Sequence, residues 1–443
     1  MRGLRLHQPH RALPGRAALD LPGADAHVVD AIRSGPQTRP AARAKAKKKT
    51  RSLWWQVHQW AGLQISLFLS FVFVTGTLAV LSYEMDWLAR PAMWAAPTPA
   101  EERVSWGRVG AAVEDHLPGA EILNLYAPLH PASTFDVIVS HEGATKHVYV
   151  HPRTGQVTGT GPWAGFQRFL RNTHRHLMIP VKWGVSIVSI SAVFLLVSLV
   201  TSFWVYKKWW RGFLRWPEGR TARALTGDVH RVMGVWSIWF IVLMIVTGLW
   251  YFVEQWGGAA PAANAPRTEI AGEAPQVFDR PGDALDAGIA ALRDQIPGYR
   301  VDTVRWLPGG QPVFEVHGTT DRAILVRPRA NAAWIDARTG ALLETVDPST
   351  LSVHTRIAEA ADPLHFGTFG GYWTKTLWFV FGAGLSALSL TGVAIYALRI
   401  AKAGREEPGW GSGLMRAWRA MGPARWPALA LCLLPFVMAP FVL

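Results

Sequence analysis

Four histidine positions in the 443-residue chain have a spacing that suits a bound redox cofactor. His58 and His230 are separated by an offset of 172. The same offset relates Gly62 to Gly234 and Thr75-Gly76 to Thr247-Gly248. A second set precedes later apolar blocks: Thr173-His174-Arg175-His176-Leu177 and Pro363-Leu364-His365-Phe366-Gly367. Neutral imidazoles from two facing helices, at equal depth, are what axial coordination of a non-covalent b-type haem requires. His58 with His230, and His174 with His365, would form two such pairs and stack two haems across a bilayer. His176 competes with His174 for the second pair, but two positions apart on a helix the two face different ways. A lone histidine is more often a satisfied structural group, so the inference rests on the repeat-related set of four.

The glycines add a geometric expectation. Gly62 and Gly234 lie one turn beyond His58 and His230 and on the same helix face. Gly76 and Gly248 follow the same histidines by 18 residues, which in a straight helix is five whole turns and about 27 Å. The first glycine pair is therefore expected to clear room for the inner macrocycle and the second for the outer one. Close helix packing through small residues is the competing explanation. The single cysteine, Cys432, excludes an intramolecular disulfide, a Cys-rich zinc or iron–sulfur site, and covalent c-type haem.

The elements that must position these residues are apolar helices. Half of the chain (50%) is hydrophobic and only 17% is charged, with near charge-free blocks at about 61–83, 183–206, 232–253, 376–398 and 426–443. Most are long enough to cross a hydrocarbon layer of roughly 30 Å. The expected order is a basic tail (1–52), a first span (53–83), an outer domain (84–173), a second span (174–206), a basic loop (207–228) and a third span (229–254). A second outer domain (255–364), a fourth span (365–398), a basic loop (399–425) and a fifth span (426–443) complete it.

Lys+Arg (45) exceed Asp+Glu (31) for a formal charge of +14, and the basic residues cluster in the tail and the two short loops. By the positive-inside rule these segments are cytoplasmic, with no nucleic-acid partner required. The tail has no apolar core of a cleavable signal, so an uncleaved first anchor is expected. Both outer segments contain alternating apolar residues around an Arg-Thr-Gly turn, Lys146–Val157 and Ala333–Leu342, with further strands at Thr134–Ser140 and Pro312–His317. The fold class expected is an integral membrane α-helical bundle: four core helices as a duplicated helix–domain–helix unit, one added C-terminal helix for packing, and two small α+β outer domains.

At these residues the chain resembles the PepSY-associated transmembrane proteins, a group that includes iron-regulated inner-membrane proteins and siderophore-linked ferric reductases. The matching elements are His58-(x3)-Gly62 with Thr75-Gly76, His174-Arg175-His176-Leu177, His230-(x3)-Gly234 with Thr247-Gly248, and Leu364-His365-Phe366-Gly367 with Gly370-Gly371. The outer hairpins look like PepSY domains, and the resemblance covers about residues 50–400. It implies a di-haem reductase of the bacterial inner membrane, its two domains periplasmic, passing electrons outward to a ferric siderophore or another Fe(III) complex and releasing Fe(II).

The chain departs from longer members that look as though they append a flavin and NADPH reductase module. It has no glycine-rich dinucleotide fingerprint after a strand, so a separate cytoplasmic flavin reductase or a quinol is the expected donor. Trp183, Tyr372 and Trp373 are candidates to line the acceptor site or to anchor at the interface. Arg168, Arg171 and Arg175 are candidates to neutralise haem propionates. Two other readings are an iron-chelate permease, which predicts ionisable groups at mid-membrane, and a non-catalytic scaffold with peptide-binding domains, which gives the histidine pairs no purpose.

Overall fold

A computed structural model describes residues 53–261, 277–306, 312–403 and 410–443; the basic tail expected over 1–52 lies outside them. The first half of the chain holds α1 (Leu53–Gln64), α2 (Ser66–Val80), α3 (Ser82–Ala89) and α4 (Trp106–His116). Strands β1 (Glu121–Tyr126), β2 (Phe135–His141), β3 (Ala144–Val150) and β4 (Val157–Pro162) follow, then α5 (Phe166–His176), α6 (Val181–Ser189) and α7 (Ser191–Val205). The second half holds α8 (Ala222–Trp236), α9 (Ile238–Val253), α10 (Pro281–Gln295), β5 (Arg300–Trp306), β6 (Val313–Thr319), β7 (Ala333–Asp336) and β8 (Leu342–Thr345). It continues with α11 (Val353–Phe366) and α12 (Gly371–Ala403); α13 (Trp410–Ala420) and α14 (Arg425–Val442) end the chain.

Among the described residues, four spans are long and apolar enough to cross a membrane: 181–205, 238–258, 371–399 and 422–442. A fifth is reached when α1 and α2 count as one. The expected first span is not straight. It breaks at Ile65, where α1 and α2 meet at 64°, and again at Leu81. The third span breaks at Ser237, between α8 and α9. Ile65 and Ser237 are themselves 172 apart, so the interruption is duplicated along with the histidines. The five-turn phase from His58 to Gly76 therefore does not hold, because it assumes one straight cylinder. His174 and His365 also lie outside the spans assigned to them. Each sits on a separate helix, α5 or α11, that ends just before the membrane helix begins.

The two outer segments are not two separate domains. Their strands form one antiparallel sheet in the order β4-β3-β2-β1-β5-β6-β7-β8. The halves join where Asn124, Leu125 and Tyr126 pair with Arg305, Val304 and Thr303. Alone, each half would leave β1 or β5 as an open edge with unpaired backbone groups; pairing the two edges satisfies them. One hydrophobic core serves both halves, with Val109 and Val113 of α4, Leu285 and Leu292 of α10, and Leu125 and Val304 of the sheet all fully buried. At the contact between the helices the Gly107 amide donates to Asp286 Oδ1 at 2.9 Å, with Gly282 against Gly107. The C-terminal helix α14 packs at the α1–α2 break, its Ala428 and Cys432 clustering with Leu63, Phe68 and Val72.

Candidate functional site

Among the described residues the bundle holds a cavity beneath the sheet and another at the far end. His174 and His365 line the sheet-side cavity, of about 1330 Å³ including its mouth. His58 and His230 line the far cavity, of about 1730 Å³ on the same measure. The four histidines thus fall into the two pairs expected from their order. Phe73 and Leu195 line both cavities and so stand between them.

Each ring is fixed through Nδ1 by a different helix. His58 reaches the Ser198 carbonyl at 3.0 Å and Thr201 Oγ1 at 3.2 Å, both on α7. His230 reaches Thr391 Oγ1 of α12 at 3.0 Å. His174 reaches the Val72 carbonyl of α2 at 3.0 Å, and His365 reaches Thr247 Oγ1 of α9 at 2.8 Å. A carbonyl can only accept, so Nδ1 carries the proton in His58 and His174. The threonine hydroxyls have spent their single proton: Thr391 donates to Ala387 O at 2.8 Å, and Thr247 donates to Leu243 O at 2.8 Å. In that arrangement they accept from imidazole. All four rings are therefore set in the tautomer that leaves Nε2 with its lone pair, the state an axial ligand needs.

The sheet-side pair also has the right separation. An imidazole nitrogen binds a transition metal at about 2.0–2.1 Å, so two rings on opposite sides of one ion have centres about 6 Å apart. The centroids of His174 and His365 are 6.2 Å apart, with the planes inclined by 34°. His176 is turned elsewhere. Its Nδ1 donates to the Ile179 carbonyl at 2.9 Å, within a tight turn where buried Leu177 and Met178 both take left-handed backbone angles. Among the described residues no group of three or more His, Cys, Asp or Glu side chains could hold a metal ion by itself.

The glycines divide by role. Gly62 and Gly234 line the far cavity; a Cβ at Gly62 would meet nothing within 4 Å, and one at Gly234 only Leu388 at 3.7 Å. Gly76 instead takes the His174 ring itself, where a Cβ would come to 2.5 Å from Cε1. Gly248 takes Ala192 of α7, at 3.1 Å. Both glycines also line the sheet-side cavity, where they make room for the His174 ring and for a helix contact.

Basic residues stand at both rims: Arg171 and Arg175 with Arg327 at the sheet-side cavity, and Arg231 and Arg399 at the far one. Arg168 stacks on Trp163, 3.0 Å from the ring centroid. Trp183 is edge-on to Trp256, while Trp373 is largely exposed. Tyr372 faces His130 at 6.4 Å. None of these three lines either cavity.

The sequence model of the PepSY-associated TM region matches residues 55–399, a stretch that includes all four histidines and the whole sheet. The chain belongs to the PepSY-associated TM family. No curated protein matches it. With its apolar spans, this PepSY-associated TM protein is a multi-pass membrane protein.

Sequence reasoning about this PepSY-associated TM chain missed the hydroxyls that orient the rings. Thr201-Ser202 and Thr391-Gly392 echo Thr75-Gly76 and Thr247-Gly248, so each core membrane helix carries a threonine followed by a small residue. The small residue at Gly392 lies against His230, where a Cβ would be 3.4 Å from Cε1. That fourfold Thr-small pattern was a readable signal.

Proposed function

We propose that this PepSY-associated TM protein is a di-haem b-type reductase of the bacterial inner membrane. It would take electrons from a cytoplasmic donor and reduce an Fe(III) complex, such as a ferric siderophore, to Fe(II) on the sheet side. The observation that carries the reading is the sheet-side pair, His174 and His365, with a 6.2 Å centroid separation and each Nδ1 taken up by a hydrogen bond to a neighbouring helix.

When bound, each haem supplies a one-electron Fe(III)/Fe(II) couple. The chain's own residues do the rest. His58 and His230 would hold the far group, and His174 and His365 the sheet-side one. Thr201, Thr391, Thr247 and the Val72 carbonyl fix ring orientation, which tunes ligand basicity. Gly62 and Gly234 leave the far cavity open beside its ligands. Arg171 and Arg175 at one rim, and Arg231 and Arg399 at the other, are placed to neutralise carboxylates. Phe73 and Leu195 keep the layer between the cavities apolar and so exclude water from it.

We take the basic connections to be cytoplasmic and the sheet to be periplasmic, by the positive-inside rule. The donor is then a separate flavin reductase or a quinol, and the surrounding lipid completes the apolar wall. An absorption spectrum of the purified protein, oxidised and reduced, tests the reading together with a haem assay. A bis-imidazole spectrum with about two haems per chain is expected; haem-free protein from cells with adequate haem would refute it.

A further inference from the structure

The duplication is broken at one place that reaches the site. In the first half β2 and β3 are joined by Glu142 and Gly143 alone, both at positive φ. In the second half β6 and β7 are joined by residues 320–332. This longer connection carries Arg327 away from the sheet and onto α11. There Nε donates to Glu359 Oε2 and Nη2 to Glu359 Oε1, each at 2.8 Å. Nη1 donates to Asp362 Oδ2 at 3.0 Å, and Nη2 also reaches the Ala358 carbonyl at 3.2 Å. A bidentate fork of this kind fixes orientation as well as distance.

The contact leads directly to the outer imidazole. Glu359, Asp362 and His365 follow one another at intervals of three along α11, on successive turns. The second oxygen of Asp362, Oδ1, accepts from the Tyr251 hydroxyl at 2.7 Å. The Tyr251 ring stands edge-on to His365, with centroids 5.2 Å apart. Arg329 provides a second donor to Glu359 at 3.0 Å but none to Asp362. Removing Arg327 would leave Asp362 without its ion-pair partner, one turn from His365, with Arg175 as the remaining nearby cation.

The first half anchors its helix in another way. The Asp86 carboxylate of α3 accepts from the Phe166 and Gln167 amides at 2.9 and 2.8 Å, at the N-terminus of α5. The position 172 residues beyond Asp86 is Gly258, which has no side chain to repeat that contact.

We infer that Arg327 is a positioning residue for His365: the 320–332 connection straps α11 to the sheet layer and sets the turn that presents this imidazole to the cavity. That His365 is a haem ligand is taken from the proposed function; the strap itself is a statement about α11.

Hydrogen–deuterium exchange of the full-length purified protein tests the strap without reference to haem. In Arg327→Gln, exchange across 353–366 is expected to rise about tenfold or more, with 166–176 within about twofold of wild type. Arg327→Lys keeps the charge and loses the fork, so it should fall between; it also carries the test if the glutamine variant does not accumulate. Unchanged exchange over 353–366, or an equal rise in both helices, would overturn the inference.

Electron paramagnetic resonance of the oxidised, haem-loaded variants adds a readout that general loosening would not move. The signal of one ferric centre should change and that of the other should not. Haem-free protein in which 353–366 still loosens would uphold the strap and reject the proposed function.

Discussion

The His174 and His365 rings face one another at 6.2 Å between centroids, yet they come from helices 191 residues apart in sequence. Neither ring is carried by a membrane span. Each lies on a separate helix, α5 or α11, that ends just before a membrane helix begins.

The threonines should differ in weight. Thr391 Oγ1 is the close acceptor for His230 at 3.0 Å, with a weaker backbone contact to Leu388, whereas His58 has the Ser198 carbonyl at 3.0 Å, nearer than Thr201 at 3.2 Å. Loss of an outer partner typically lowers metal affinity about 10–100-fold. Thr391→Val is therefore expected to weaken haem binding in the far cavity by about that factor, and Thr201→Val by less. Haem titration of the apoprotein compares them; equal losses would contradict the assigned partners.

Gly76 and Gly62 make an opposed pair. Gly76→Ala drives a methyl into the His174 ring, with overpacking of about 1–3 kcal/mol, while the same change at Gly62 meets open space. Thermal unfolding of the apoprotein in detergent should show a clear loss for Gly76→Ala and little change for Gly62→Ala. In the haem-loaded protein both should perturb the spectrum, each at its own level.

Asp302 gives the sheet layer a pH dependence. Burial pushes its carboxyl up to about 6, with Arg300 opposing, and Oδ2 is buried without a partner. Between about pH 4 and 6 the folded chain keeps this proton after the unfolded chain has lost it. Stability therefore falls as pH rises through that window, by on the order of 2 kcal/mol. Asp302→Asn should flatten the curve there, as read by thermal unfolding at pH 4.5, 5.5, 6.5 and 7.5.

The helices were legible from hydropathy and His58 with His230 from a strict offset of 172, whereas His174 and His365, 191 apart, were marked by their place just ahead of later apolar blocks. The fused sheet was not, and the reason lies in β1 and β5. A bulge between Ile122 and Asn124 brings Ile122 and Leu125 to the same buried face at a spacing of three, and another does so for Val301 and Val304. The strand period of two is lost in the very strands that join the halves. The breaks at Ile65 and Ser237 were hidden because neither residue is a helix breaker by type. Arg327 was hidden because it lies in an insertion, outside the repeat that made the other residues conspicuous.

The most direct test is a redox-monitored absorption titration of wild type beside His230→Ala and His365→Ala. Two bis-imidazole b-type centres are expected in wild type, with each variant losing a different one and keeping the other. A wild-type protein without haem, or variants that both retain two unaltered centres, would contradict the assignment of these histidines.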